Sequence, residues 1–422
     1  MSRQNGLMAY WMFSLVSVFL LFIMGLQVSP SVMAIDLMEE LKINSEKLGL
    51  LSGFFYYSYT FMQIPSGLIY DRLNAKYITG TACFLCAIGA LLFGITDDFT
   101  ILCLARVLLG FGSSFAFVGA LVVSARWFYS SWFAILAGVT QFLAGVGALT
   151  GALPLATAVQ TYGWRASMIA MGLFGLFLTL ALFFFIKDRP TNLETIEPSK
   201  GLSIKSSLKT LMSEPQNYYG AIYSFCTWGP VLIFAGLWGI PFFVTKYSVS
   251  NTDAAYWISW IWIGVAISSP LIGWLSDWLK KRKIVLTLSA LVGLVTSMIL
   301  IYGPNLDGWL TATMLFLFGL ACAAQILAFA LIKENNRQSV IATGMGLNNM
   351  AVVMGGAVFQ PLVGYLMNKV QPKAEGIYAV SSYLFSLGIV PICFFIAFLV
   401  SLFLIKETHT KMKYDPYQDH VL

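Results

Sequence analysis

The chain has 422 residues, of which 58% are hydrophobic and 10% charged, with a net charge of +6 and a mean hydropathy of +0.78. Soluble domains carry about 25% charged residues, so this composition leaves a water-soluble enzyme too little polar surface and excludes that class. Continuous apolar runs recur along the whole chain; a membrane barrel would instead alternate over strands of about ten residues, so the chain reads as a helical, multi-pass membrane protein.

In chain order, the predicted spans are 7–28, 48–69, 77–95, 100–123, 133–155 and 167–186, then 218–244, 254–275, 284–302, 309–332, 341–367 and 380–405. The first run is as long as a membrane helix and a second span follows it closely, which favours a span over a cleavable leader. Between the two sets of six, Lys187, Arg189, Lys200, Lys205 and Lys209 mingle with Pro190, Pro198 and Pro215, the composition of a solvated linker. The expected division is an N-terminal six-helix bundle over 1–187, a cytoplasmic linker over 188–216, a C-terminal six-helix bundle over 217–406 and a cytoplasmic tail over 407–422.

Placing the N-terminus in the cytoplasm puts 18 of the 25 Lys and Arg residues on the cytoplasmic side and 6 on the far side, with Arg106 inside the membrane. That bias predicts both termini inside, and it accounts for the positive net charge without a nucleic-acid partner. The cysteines Cys83, Cys86, Cys103, Cys226, Cys322 and Cys393 all fall within apolar runs, so the Cys83-x-x-Cys86 spacing reads as helix packing. No metal-ligand cluster, phosphate loop or nucleophile with a base is evident, so neither an enzyme nor a cofactor is expected.

The two sets of six share a motif. Gly67-Leu-Ile-Tyr-Asp71-Arg72-Leu-Asn74-Ala-Lys76 follows the second span, and Gly273-Trp-Leu-Ser-Asp277-Trp-Leu-Lys280-Lys281-Arg282-Lys283 follows the eighth. Duplication at matching points of two halves is the mark of a transporter built from repeats. Glycines at these points would permit close helix approach. Asp71 and Asp277, at helix ends, would bond basic residues or a facing helix N-terminus, a contact broken when the cytoplasmic side opens. Gly67, Asp71, Arg72, Lys76, Gly273, Asp277, Arg282 and Arg126 are therefore the expected gating set.

This paired motif resembles the signature loop of the major facilitator superfamily, along essentially the whole chain. The resemblance implies an all-α membrane protein of twelve transmembrane helices, arranged as two pseudo-symmetric six-helix bundles around a central cavity and working by alternating access. Further stretches, Tyr56-Tyr57-Ser58-Tyr59, Met62-Gln63-Ile64-Pro65, Arg126-Trp127-Phe128, Gly163-Trp164-Arg165, Trp238-Gly239-Ile240-Pro241, Asn348-Asn349-Met350 and Gln360-Pro361-Leu362, are similar to the proteobacterial intraphagosomal amino-acid transporter family and related nutrient and siderophore importers. In the fifth span, Gly138, Gly145, Gly147 and Gly151 are followed by Leu153-Pro154, without the Gly-Pro dyad of the superfamily's drug antiporters. Import is the expected direction.

Placing each ionisable residue by depth leaves no carboxylate or histidine near the midplane, although such groups are the usual proton carriers of symporters. Transport is therefore expected to be either facilitated diffusion or coupled through a carboxylate at the cavity rim, with Asp36, just past the first span, as the coupling candidate and protons as the coupling ion. Arg106 is the one charge inside a span and reads either as a substrate-carboxylate clamp or as a structural arginine bonded within its own half. The uncharged cavity candidates are Gln27, Tyr56, Tyr59, Gln63, Gln141, Trp228, Trp238, Trp260, Gln325, Asn348, Asn349 and Gln360. Together they predict a monomeric importer in the bacterial inner membrane for a small polar solute, a neutral amino acid first and an organic anion or polycarboxylate siderophore second, with drug efflux behind both.

Overall fold

A computed structural model of the chain describes residues 6–128, 132–187, 209–337, 340–372 and 378–414. Most of the expected linker, 188–208, and the end of the tail, 415–422, lie outside the described residues. Ten helical stretches are long and apolar enough to cross a membrane. One of them, 50 residues long, folds back on itself at Gly163, where φ is 80°. A further crossing escapes that criterion because it is interrupted at Met62. The described residues therefore make twelve crossings.

The first half comprises α1 (Leu7–Glu40), α2 (Ser45–Phe61 and Gln63–Arg72), α3 (Ala75–Ile95) and α4 (Phe99–Ser113 and Ala116–Trp127). Next come α5 and α6, which share Phe133–Thr150 and Leu153–Phe185 and meet at Gly163. The second half comprises α7 (Pro215–Ile233, a π-helical turn Phe234–Trp238, and Gly239–Tyr247), α8 (Asn251–Leu279), α9 (Arg282–Tyr302) and α10 (Gly308–Ala323 and Ile326–Asn335). It ends with α11 (Ile341–Val370) and α12 (Val380–Ser386, Ile389–Leu399 and a π turn Val400–Leu404). The interruptions of α4 and α10 fall at corresponding places, a structural echo of the duplicated motif.

One boundary differs from the sequence reading in an instructive way. The span expected to end at 28 continues to Glu40, through Ser29, Pro30 and Ser31. Both serine hydroxyls donate to carbonyls one turn back, Ser29 to Leu26 at 2.9 Å and Ser31 to Val28 at 2.8 Å, so they lie buried without breaking the helix. The extension carries Glu40 to Arg165, whose Nε donates to Glu40 Oε1 at 2.7 Å and which also pairs with Asp97. These three charges tie α1, α3 and α6 together at the face opposite the termini. On the other half at the same face, Lys246 Nζ donates to the carbonyls of Leu300, Ile301 and Gly303 at 2.9, 3.1 and 3.0 Å. A cation thus caps α9, where the helix dipole is negative.

The two halves meet most closely at that same face. Along the α2–α11 seam, a Cβ added to Gly49 would stand 2.6 Å from the Gln360 carbonyl, and one on Gly53 would stand 2.7 Å from the Pro361 ring. From the other side, a Cβ on Gly356 would press on the Tyr56 ring at 2.5 Å, and one on Gly364 would strike the Ser45 carbonyl. Each helix therefore presents glycines to the other, which brings backbone against backbone. Ser45 seals the seam, its Oγ donating to Gly364 O at 2.8 Å and its N–H to the Tyr378 hydroxyl at 3.0 Å. Asn368 Nδ2 donates to Glu46 at 2.9 Å, and Asn251 Nδ2 to Val32 O at 2.7 Å. The molecule is closed at the face opposite its termini.

Gly49→Val should force this seam apart. In a chain whose native cysteines are replaced, Ser45→Cys should resist a membrane-impermeant thiol reagent and become labelled several-fold faster once Gly49→Val is added. Equal labelling in both backgrounds would show that the seam does not hold the closed face.

Candidate functional site

A cavity of about 90 Å3 lies between the halves. From the first half it is walled by Met24, Gln27 and Val28 of α1, Tyr59 of α2, Phe117 of α4, and Gln141, Ala144, Gly145 and Ala148 of α5. From the second come Trp228 of α7, Trp262 and Val265 of α8, Gln325 of α10, and Asn349, Val352 and Val353 of α11. None of these residues is charged. The wall is mostly apolar with a few amides and indoles, the makeup of a small-solute site.

The expected cavity residues divide by placement. Gln27, Tyr59, Gln141, Trp228, Gln325 and Asn349 line it. Gln63 stands one turn from Tyr59 and accepts from Asn349 Nδ2 at 2.5 Å, a hydrogen bond that joins the halves on the termini side of the cavity. Tyr56 is buried in the α2–α11 seam, its hydroxyl 3.4 Å from Gln27 Nε2. Gln360 Nε2 donates to Leu232 O at 2.7 Å and the Gln360 backbone carbonyl accepts from Trp238 Nε1 at 3.2 Å, so both residues hold α7 against α11. Asn348 accepts from Ser224 Oγ at 3.0 Å inside the second half.

Trp260 does not line the cavity. It packs edge-on against Tyr256, their centroids 6.3 Å apart, and Trp262 takes the inward place. The signal was present in α8, where Ala254, Ala255, Ile258, Ile261, Trp262 and Val265 form the buried face at helical spacing. Asp36 is partly exposed, one turn from Glu39 and Glu40 near the end of α1, and is not part of the cavity wall.

Arg106 is buried between α1, α2 and α4. Its Nη1 donates to Leu26 O at 3.4 Å, and its guanidinium carbon lies 4.8 Å from the Phe55 ring centroid. Its Nε and Nη2 have no hydrogen-bond partner among the described residues. The arginine thus stands one layer behind Gln27 and Tyr56 as a cation with unspent donors in a low-dielectric interior.

The gating candidates lie toward the termini face. A Cβ at Gly67 or Gly273 would meet nothing within 4 Å, so the close helix approach expected there is absent, because the bundle is closed at its other end. The side chains of Asp71 and Arg72 lie outside the described residues. Lys76 enters α3 through its backbone N–H, which donates to Asn74 Oδ1 at 2.9 Å, and Arg126 Nη2 donates to Tyr70 O at 2.6 Å.

In the second half, Arg282 pairs with Asp277 at 2.7 Å and with Glu334 at 2.8 Å, and donates to Ser276 Oγ at 3.0 Å. Sequence reasoning missed Glu334 and Glu407. The latter accepts the N–H groups of Arg282 and Lys283 at 2.7 and 3.0 Å, capping the start of α9. The tail continues this network through Lys413, whose backbone N–H donates to Glu334 O at 2.7 Å.

Because the Arg282 and Glu334 side chains are 8% and 7% exposed whereas Asp277 is 66% exposed, the two ion pairs should differ in worth. Glu334→Ala should cost about 3 kcal/mol by leaving a buried guanidinium short of its partner. Asp277→Ala should cost less than about 1 kcal/mol. Thermal unfolding of the purified variants checks the ranking.

A family model described as Major Facilitator Superfamily matches residues 15–359. A protein of Bacillus subtilis (strain 168) named as the uncharacterized transporter YybO is 23% identical over 296 residues, covering 66% of this chain and 68% of that protein. The probable sulfoacetate transporter SauU of Cupriavidus necator is 29% identical over 164 residues, 39% of this chain and 38% of its own length. The probable L-galactonate transporter of Escherichia coli (strain K12) is 22% identical over 266 residues, 60% and 58% of the two chains. Among solved structures, a bacterial homologue of the human lysosomal transporter Spinster, inward-facing and unoccupied, gives a TM-score of 0.76 at 16% identity, covering 98% of this chain and 100% of that one. With the family match running through both six-helix bundles, the chain belongs to the Major Facilitator Superfamily and is a membrane transporter.

Proposed function

We propose that this transporter imports a small organic anion, bearing at least one carboxylate or a comparable acid, by alternating access across the bacterial inner membrane. The observation that carries the reading is Arg106, a buried guanidinium with two unpaired nitrogens next to a cavity whose wall holds no charge. A cation in that setting favours an anionic guest that brings its own countercharge. The names of the relatives, a sulfoacetate and an L-galactonate transporter among them, favour the same class. The neutral amino acid placed first by the sequence, and the kinship with intraphagosomal amino-acid transporters, find no support in those names.

In this reading the bundles 1–187 and 217–406 rock about the α2–α11 seam, and the linker 188–216 and the tail 407–422 lie in the cytoplasm with both termini, as the basic-residue bias favours. The face opposite the closed seam then looks into the cytoplasm. The gating set around Gly67, Asp71, Arg72, Lys76 and Arg126, with its counterpart Gly273, Asp277 and Arg282, would form inter-bundle contacts when that side closes. Protons are the proposed coupling ion, with Asp36 at the rim as their carrier, and the working unit is a monomer in the bilayer.

The test is uptake into proteoliposomes of labelled sulfoacetate, L-galactonate, a citrate-type siderophore and neutral amino acids, with and without an inward proton gradient. Saturable uptake of an anion is expected, and Arg106→Lys, which keeps the charge but loses the planar fork, should weaken its apparent affinity about tenfold. Uptake of amino acids alone, or unchanged anion affinity in Arg106→Lys, would overturn the reading. Asp36→Asn should abolish gradient-driven accumulation while leaving equilibration intact.

A further inference from the structure

We infer that the second half of the cavity reads a hydroxyl group on the substrate, so that the transported anion is a hydroxy acid. The inference rests on the anion reading above and deepens it. Two wall residues carry it. Trp262 is 4% exposed and its indole Nε1 has no partner among the described residues; Gln325 is 6% exposed and its Oε1 has none either. Both side chains line the cavity, and neither atom is in contact with solvent.

An indole N–H without an acceptor and an amide oxygen without a donor are each a liability in a low-dielectric interior. No described residue of their own half relieves them. Trp262 is held edge-on against Trp228, with centroids 6.5 Å apart, and Gln325 sits where α10 is interrupted, its backbone N–H already donating to Cys322 O at 3.2 Å. The side chains are therefore positioned by aromatic packing and by a helix break, with their hydrogen-bonding capacity left over for a guest.

The chemistry of that guest follows from what the pair lacks. Trp262 needs an acceptor, because an indole can only donate, and Gln325 Oε1 needs a donor. An ammonium group donates but cannot accept, and an ionised carboxylate, sulfonate or phosphate accepts but cannot donate. A hydroxyl does both. Across the cavity, Gln27 Oε1 likewise has no partner among the described residues and gives a second place for a hydroxyl proton, in front of Arg106. The acid group would thus be held by the first half and the hydroxyl by the second, so that one solute spans both moving bodies.

Binding to the detergent-purified full chain, measured by calorimetry, tests this with two matched series: butanoate, 4-hydroxybutanoate and 4-aminobutanoate, and hexanoate, gluconate and 6-aminohexanoate. The hydroxy acid of at least one series should bind at least tenfold more tightly than its deoxy and amino counterparts. Trp262→Phe, which keeps the ring and removes the N–H, should erase most of that preference, and so should Gln325→Leu. Deoxy acids binding as well as hydroxy acids in both series would overturn the hydroxyl assignment and leave the anion reading standing. So would a preference that survives in both variants. Binding by no acid of either series would overturn both.

Discussion

A bilayer interior offers no water to a stray N–H or C=O, so any departure from continuous helix within it must be sheltered by protein or by a cavity. That constraint organises this molecule. Four of its helix interruptions lie at Met62 in α2, between the two pieces of α4, at the π turn 234–238 of α7 and at Ala324 and Gln325 of α10. Tyr59 and Gln63 flank the first interruption, Phe117 follows the second, the third packs beside Gln360 and Tyr56, and Gln325 belongs to the fourth. At these four places irregular backbone lies beside the cavity or the seam next to it, because a cavity is where irregular backbone can be tolerated and where side chains are freed to face a solute.

Charge obeys the same constraint. The described ion pairs sit at the ends of the helices: Arg165 with Glu40 and Asp97 at one face, Arg282 with Asp277 and Glu334 at the other. Each cluster joins several helices of a single half, so each half is braced as a body without being tied to its neighbour. Between the halves the contacts are of another kind, with glycine-lined backbone along α2 and α11 and single hydrogen bonds such as Gln63 with Asn349 and Asn368 with Glu46. Strong pairs within a body and weak ones between bodies are what rigid-body rocking requires.

Much of this was legible in the residues. Apolar run length and the repeated Gly-x-x-x-Asp motif carried the helix count and the two-half architecture, since both depend on local composition. Less legible was which face each helix turns inward. Trp260 and Trp262 are two positions apart on α8 and chemically identical, and only the small and apolar neighbours at helical spacing distinguish the wall from the outside. Asn348 and Asn349 pose the same problem, one bonded to Ser224 within its half and the other in the cavity wall. Glu334 and Glu407 escaped notice because they lie far from Arg282 in sequence and are brought to it by tertiary packing. The roles of Gly67 and Gly273 depend on which side is open, a property of conformation that no residue pattern carries.

The α2–α11 seam has a consequence for how such a protein can diversify. Because its fit is made by main chain against main chain, nearly every side-chain replacement at Gly49, Gly53, Gly356 or Gly364 adds bulk where there is no room. The cavity wall is different: exchanging one amide or indole there alters hydrogen-bond valence without touching the seam. On the proposed reading, cargo and motion are written in separate sets of positions, so a lineage could drift from one solute to another by trading a few wall residues while its rocking machinery stays in place.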